Sequence, residues 1–446
     1  MAKLKIPTPG EITGMWQVSG LKEKLIFTFL IIAVFRFGTQ VPIFGINNEI
    51  FRNLASGNNI IGFLDLFSGG ALGKVSLFAL GIGPFITASI IIQLLAAVIP
   101  HLEKLQKEEG EAGRRKISQY TRFFTVGLAV FQSFIFITYL FRLPGAVLPG
   151  INKPLLFVGT IIVLTTGAVF IMWLAELITE KGIGNGGSLL IFAGIISGIP
   201  VYAGRTATLI APDPGKQLAL VVLLIIFLAT ISFIVITQEA VRKVVIVNAK
   251  RQIGNKVYGG ANTHIPFKLN PSGVMPIIFA IAILLFPTTI LGVVSQTTSI
   301  PPGIFKDIIT FLSVDLLNPG KLPYYIVYFL LIVSLTFFYS SIMPNMQPKE
   351  IANNLKKYGS SIPGIKPGKP TADALDKILS RITFIGAIAL GIVALIPGIA
   401  SHITGITTLQ GLGATTLIIM VGVALDFINQ IRTHLLARQY EGFLKQ

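Results

Sequence analysis

Ten apolar stretches, each long enough to cross a bilayer, divide this chain and leave little sequence for anything else. They lie near residues 25–43, 76–100, 123–141, 154–175, 187–203, 217–238, 273–294, 323–343, 382–400 and 412–431. A spanning helix takes about 20 mostly apolar residues. Residues 75–100 and 269–305 contain no Asp, Glu, Lys or Arg at all. A soluble core helix keeps a polar face, so the pattern predicts an all-α polytopic membrane protein with ten transmembrane helices.

Orientation follows from the basic residues beside the spans. The N-terminal segment, the loops after even-numbered spans and the C-terminal tail hold 27 of the 36 Lys and Arg, against eight in the odd-numbered loops. Both ends and the larger even loops are therefore expected in the cytoplasm, where most of the net charge of +17 is displayed. Membrane anchoring explains part of that charge. Lys22 and Lys24 precede an apolar run as in a secretory signal, but no small-residue cleavage site follows, so this run reads as the first span.

Several chemistries fail on inspection. The chain has no cysteine, and His101, His264, His402 and His434 are scattered over three loops and the tail, so neither disulfides nor a metal site are expected. Gly182, Gly184 and Gly187 fit GxGxxG but join two membrane helices instead of leaving a strand. Gly73-Lys74 resembles the end of a phosphate-binding loop, yet Ser68 stands in place of its first glycine and Val75 in place of the magnesium-holding hydroxyl. No enzyme is predicted and no cofactor is expected. Energy has to come from a partner or an ion gradient.

Ten spans divide into five plus five. An odd number in each half requires two halves of opposite orientation, the inverted plan that places a site at the midplane. The expected organisation is a cytoplasmic segment 1–24, a first half 25–203, a second half 204–431 with cytoplasmic loops 239–272 and 344–380, and a tail 432–446. Residues 61–73, IGFLDLFSGGALG, are apolar but too short to span. An interfacial or re-entrant helix held against protein is one reading, and a movable stopper is the other. Within the spans charge is sparse: Arg36 in the first, Glu176 at the inner end of the fourth and Asp426 in the tenth. Arg36 and Asp426 are readable as buried partners, or Asp426 as lying near the cytoplasmic end. A carrier of ions or polar solutes ordinarily shows more.

The loop 239–272 carries a Val and Ile run at Val244–Val247 that suggests a strand, and Gly259-Gly260 suggests a turn. The loop 344–380 suggests a short helix around Ile351–Lys357 followed by a Pro- and Gly-stiffened basic tip. Structured loops of this length are usually functional. Their charge suits an acidic or RNA-bearing partner.

These residues also carry a resemblance. LFSGGALG from Leu66, EGEAGRRKISQYTR from Glu109, ITEKGIGNGGSLLIFAGI from Ile178, NAKRQIGNKVYGGANTHIP from Asn248 and NNLKKYGSSIPGIKPG from Asn353 resemble, in order and over essentially the whole chain, the SecY family of bacterial and plastid translocation channels. The resemblance implies a pore between the two halves that passes unfolded preproteins and releases apolar segments sideways. Its waist would be a ring of Ile82, Ile86, Ile191, Ile278 and Ile419, with Gly187 standing where many relatives place an isoleucine. The plug would be residues 61–73, with Phe63, Leu64, Asp65, Leu66, Phe67, Ser68, Gly69 and Gly70 at its centre. A lateral gate would lie between the second and seventh spans, about Ser76–Ile99 and Gly273–Ile290, with Thr87, Ser89, Gln93 and Phe279 as candidate gate residues. Bonding of those polar groups to neighbouring backbone is the alternative.

Partner docking falls by the same resemblance on Arg242, Lys243, Lys250, Arg251, Lys256, Lys356, Lys357 and Lys366. The implied partners are the ribosome, the SecA ATPase, SecE-type and SecG-type small membrane subunits, signal sequences and nascent polypeptides. Lys366 stands where the family typically has arginine, which removes the planar fork but keeps the charge. The implied location is the bacterial plasma membrane or a thylakoid membrane. A secondary solute transporter with inverted repeats is the alternative, but it needs a compact polar midplane site that this sequence does not offer.

The absence of native cysteine makes the topology testable. Single cysteines at Lys107, Lys256, Lys357 and Gln446 are expected to react with an impermeant thiol reagent from the cytoplasmic side only, and those at Asn58, Lys153 and Asp213 from outside. Outside labelling at Lys256 reverses the orientation.

Overall fold

The computed structural model describes residues 20–51, 65, 68–107, 109–210, 214–248, 251–253, 256–258, 262–284, 311, 322–342, 347–404 and 414–444. The chain is predominantly helical and forms two compact units. The first comprises Met1–Asp213, Thr408–Leu412 and Ile419–Gln446, and the second Pro214–Thr407 and Gly413–Ile418. Among the described residues seven helices are long and apolar enough to cross a membrane, or eight if one bent pair counts as a single span.

The first unit contains α1 (Leu21–Gly38), α2 (Gly83–Val98), α3 (Pro100–Lys107), α4 (Gly110–Arg142), α5 (Lys153–Lys181) and α6 (Gly186–Ile210), together with most of α12 (Ala414–Leu444). Its packing shows how helices associate without a hydrophobic drive between them. Buried Thr121, Thr125, Ala129 and Ser133 recur every fourth residue on α4, a stripe of small side chains that allows the close helix approach favoured in membranes. Their hydroxyls bond back to carbonyls one turn earlier, Thr125 at 2.7 Å and Ser133 at 2.6 Å. Ser133 Oγ also lies 3.3 Å from Thr165 Oγ1 on α5. Phe123, Phe131 and Phe134 of α4 remain exposed, as befits surface offered to lipid.

The second apolar stretch departs from expectation. A single span over 76–100 is expected, but residues 76–82 are turns and helix begins only at Gly83, with Pro84 in its first turn. At the other end Pro100 has no amide hydrogen for the ladder and forces Ile99 into an extended conformation. The chain bends there by 106° into α3. The first stretch also differs, because Lys22, Glu23, Lys24 and Arg36 fall inside α1 and leave a short apolar middle.

The second unit contains α7 (Pro214–Glu239), α8 (Met275–Leu284), α9 (Leu322–Ile342), α10 (Pro348–Lys357) and α11 (Lys369–Thr404). It also holds strands β1 (Val241–Asn248), β2 (Arg251–Ile253), β3 (Lys256–Tyr258), β4 (Asn262–Lys268) and β5 (Ser360–Ser361). The expected seventh span is described as far as Leu284, and its remainder lies outside the described residues. Here glycines allow close contacts: a Cβ on Gly391 would meet the Phe329 ring at 2.5 Å. One on Gly386 would meet the Leu269 carbonyl oxygen at 2.3 Å.

Helix α11 starts thirteen residues before the expected span at 382, and its added turns have a soluble-type core. Ala372, Leu375, Leu379 and Ile382 recur on one face and bury against Val244, Ile246 and Phe267 of the sheet and Ala352 and Leu355 of α10. Leu375 is fully buried. Leu375→Ala is expected to destabilise this subdomain by about 2–5 kcal/mol, seen as faster hydrogen exchange in β1 and α10 with the spanning helices unaffected.

Candidate functional site

The turns before α2 form a structure of their own. The Asp65 carboxylate accepts the Gly73 amide at 2.6 Å, and the Asp65 carbonyl accepts the Gly70 amide at 2.8 Å and the Ser68 hydroxyl at 2.9 Å. Ser68 Oγ in turn accepts the Leu72 amide at 2.9 Å. Gly69 and Gly70 adopt φ of +71° and +83°, a region that side chains resist. A Cβ on Gly73 would stand 3.0 Å from the carboxylate. The glycines, serine and aspartate of this motif thus serve one self-closed turn. Asp65 is helical and residues 68–73 are turns and a bend; Phe63, Leu64, Leu66 and Phe67 lie outside the described residues.

The turn is anchored on both sides. Arg36 Nη1 of α1 donates to the Gly69 carbonyl at 2.7 Å, so the charge in the first span has a main-chain partner. Further on, the Ile43 amide donates to the Val75 carbonyl at 3.0 Å and the Leu77 amide to the Val41 carbonyl at 2.9 Å. Val75 is held at φ +43°, a strained value for a β-branched residue. The Phe78 ring stacks on Phe35 and Phe170, with centroids at 6.1 and 5.9 Å.

One of the expected ring positions, Ile82, borders Gly187. Ile82 is buried and stands immediately before α2, while Ile86 is half-buried in that helix's first turn. A Cβ on Gly187 would meet Ile82 Cδ1 at 3.6 Å and Phe85 Cε1 at 3.9 Å. Ile191 follows one turn along α6 and is buried, as is Ile419 of α12. Ile278 is buried on α8 in the second unit. The glycine run before α6 is a tight interhelical turn: Gly184 has φ +96°, and Asn185 Oδ1 accepts the Ser188 amide at 3.1 Å.

Among the expected gate residues, Thr87 Oγ1 donates to the Gly83 carbonyl at 3.0 Å, and Gln93 Nε2 donates to Ser89 Oγ at 3.1 Å. Phe279 is buried, edge-on to Tyr339 at 5.7 Å. Glu176 pairs with Arg122 at 2.8 Å, which links α4 to α5.

The two basic loops are joined. β1 pairs antiparallel with β4 from Val241↔Lys268 to Val247↔Asn262, and on its other edge with β5 through Val247↔Ser361 and Asn248↔Ser360. Ser360 Oγ donates to Asn248 Oδ1 at 2.7 Å. Nothing in a two-residue strand announces this pairing; the alternation of buried Ser360 and Ile362 is its only trace. Arg242, Lys243, Lys356, Lys357 and Lys366 are exposed on the resulting platform. Arg251 and Lys256 belong to the separate β2–β3 ribbon, and Lys250 lies outside the described residues.

The apolar helices, seven or eight of them long enough to cross a membrane among the described residues, define a multi-pass membrane protein. The sequence profile of the SecY family matches residues 76–428, and the chain belongs to that family. The protein translocase subunit SecY of Synechocystis sp. is 45% identical over 436 residues, which cover 97% of this chain and 96% of its own. Two solved structures share the fold at low identity. One, described as showing that the plug domain of the SecY protein stabilizes the closed state of the translocation channel and maintains a membrane seal, has a TM-score of 0.65 at 18% identity. It covers 95% of this chain and 96% of its own. The other, Sec61 in the canine ribosome-channel complex from the endoplasmic reticulum, has a TM-score of 0.62 at 18% identity over the same shares. The chain is thus a translocation channel subunit and not an enzyme, which sets aside the solute-transporter alternative.

The joined loops carry a direct test. Asn248→Ala removes the acceptor of the Ser360 hydroxyl, a change of about 0.5–1.5 kcal/mol. Protease cleavage between 347 and 368 is expected to accelerate several-fold, and unchanged cleavage means that the pairing contributes nothing to the platform's stability.

Proposed function

We propose that ten spanning helices, five in each of two inverted halves, surround a pore that conducts unfolded preproteins outward and lets apolar segments leave sideways. The observation that carries this reading is the self-closed turn from Asp65 to Gly73, anchored on α1 within the first unit. Its residues 68–73 are turns and a bend, backbone that membrane structure tolerates only against protein or a cavity. A stopper for a pore needs those properties.

The waist would be Ile82, Ile86, Ile191, Ile278 and Ile419. A narrow apolar ring sheds water and so stops ions, and branched side chains give way around a polypeptide of any sequence. Ile82 and Phe85, which border the space beside Gly187, would fill the ring where it lacks a side chain. The lateral gate would lie between α2 and α8. Its basis is partition: a Leu-rich segment gains roughly 0.3–0.6 kcal/mol per apolar residue in lipid, and a central charge costs about 2.5–3.5 kcal/mol.

The platform would face the cytoplasm and receive the ribosome or the SecA ATPase through Arg242, Lys243, Lys356, Lys357 and Lys366, with SecE-type and SecG-type subunits bracing the channel. The host membrane would be a bacterial plasma membrane or a thylakoid membrane.

Cysteine pairs chosen between Ile86–Ile92 and Ile278–Leu284 test the reading. At least one pair is expected to form a disulfide in the idle channel and to stop both export and membrane insertion, and a long flexible cross-linker is expected to restore them. Ile278→Asn is expected to raise resting ion conductance and Ile278→Leu to leave it unchanged. Normal translocation through every short bridge removes the gate from this position.

A further inference from the structure

A guanidinium within a spanning helix is costly unless something takes up its hydrogen bonds. Arg36 is the basic residue inside the first apolar stretch, and the partner the fold gives it is a main-chain carbonyl, that of Gly69 at 2.7 Å. The position receiving it is closely shaped. A Cβ on Gly69 would lie 3.0 Å from Arg36 Nη1 and 3.1 Å from the Gly194 Cα of α6. Gly69 therefore sits in a socket with α1 on one side and α6 on the other, and its φ of +71° lies in a region that side chains resist but single residues can adopt at a cost.

The rest of the turn is tied to itself. Asp65 holds Gly73 and Gly70, and Ser68 holds Leu72. The Arg36 bond is thus a side-chain tie from α1 to a segment that largely closes its own hydrogen bonds. Its chemistry suits release. A carboxylate partner inside a membrane protein would have to be separated charge from charge, whereas a neutral carbonyl and a water molecule are near-equivalent acceptors. Arg36 loses little by exchanging one for the other once water reaches it.

We propose that Arg36 is the latch that positions the closing segment: its guanidinium holds the Gly69 carbonyl in the idle channel and takes water in its place when the segment moves away. This rests on the reading of residues 61–73 as a stopper. The latch is directional, because water that reaches the half-buried Arg36 offers its guanidinium another acceptor and removes the advantage of the bond. Arginine suits the task better than lysine, since its fork has donors to spare for water while one holds the carbonyl. Arg36 is a positioning residue and has no contact with transported chain in this reading.

The experiment uses the full chain, purified with its associated subunits and reconstituted in planar bilayers, with resting ion conductance as the readout. Deleting Asp65–Gly73 sets the scale for an absent stopper. Arg36→Met, which keeps the stem and removes the donors, is expected to raise resting conductance several-fold toward that scale, and Arg36→Lys to give an intermediate rise. Gly69→Val, which leaves Arg36 intact but crowds the socket, is expected to behave like Arg36→Met. In the deletion background Arg36→Met is expected to add nothing. A Gly69→Cys, Gly194→Cys pair placed in Arg36→Met is expected to leak when reduced and fall silent when oxidised, which a misfolded protein would not do. If the deletion leaks while Arg36→Met and Gly69→Val remain silent, the latch is wrong and the stopper stands. If the deletion itself is silent, both readings fall.

Discussion

Main-chain amides and carbonyls placed in hydrocarbon have no water to bond, and the rest of this structure follows from that constraint. The long apolar stretches answer it by becoming helices. Residues 68–82 cannot do so, because paired glycines, Pro84 and their short length break the ladder. They satisfy their backbone instead through Asp65, Ser68, the chain at Val41–Ile43 and Arg36. Irregular chain stands among apolar helices there because protein supplies partners that water would otherwise supply.

The same constraint divides the molecule into two kinds of packing. Between spans glycine, alanine, serine and threonine allow close approach, as along α4, and larger side chains such as Ile137, Leu140 and Leu164 fill the space around them. In the platform the contacts are made by Leu375, Leu379, Val244, Ile246 and Phe267, because there water is the competitor. Helix α11 passes from one regime to the other without a break.

What the sequence makes legible follows from which of these effects is local. Apolar length and basic bias are local, so the class of protein, the strand at Val244–Val247 and the helix at Ile351–Lys357 are visible in it. The start of α11 is less so: its buried residues at 372, 375 and 379 sit among charges and read as loop until the sheet gives them a surface to cover. The pairing of Asn248 with Ser360 spans more than a hundred residues and rests on two short strands, so no local signal marks it. Arg36 shows itself as an anomaly in its span, but its partner Gly69 is a carbonyl, which any residue possesses and no pattern reveals. The run of turns before α2 is missed for a related reason: hydropathy counts residues 76–82 as span although their amides are committed elsewhere.

The unbroken course of α11 has a mechanical meaning. From Lys369 to the residue before Pro397 it is one continuous helix of about 42 Å at 1.5 Å per residue, with its near end packed under the sheet through Leu375 and Leu379 and its middle close against the Leu269 carbonyl at Gly386. A rod of that length turns a tilt of about 5° at one end into a shift of about 4 Å at the other. That exceeds the radius of a methyl group and is comparable to the spacing of packed side chains. A tilt of the end packed under the sheet is, to the extent that the helix moves as one body, a displacement of its apolar end.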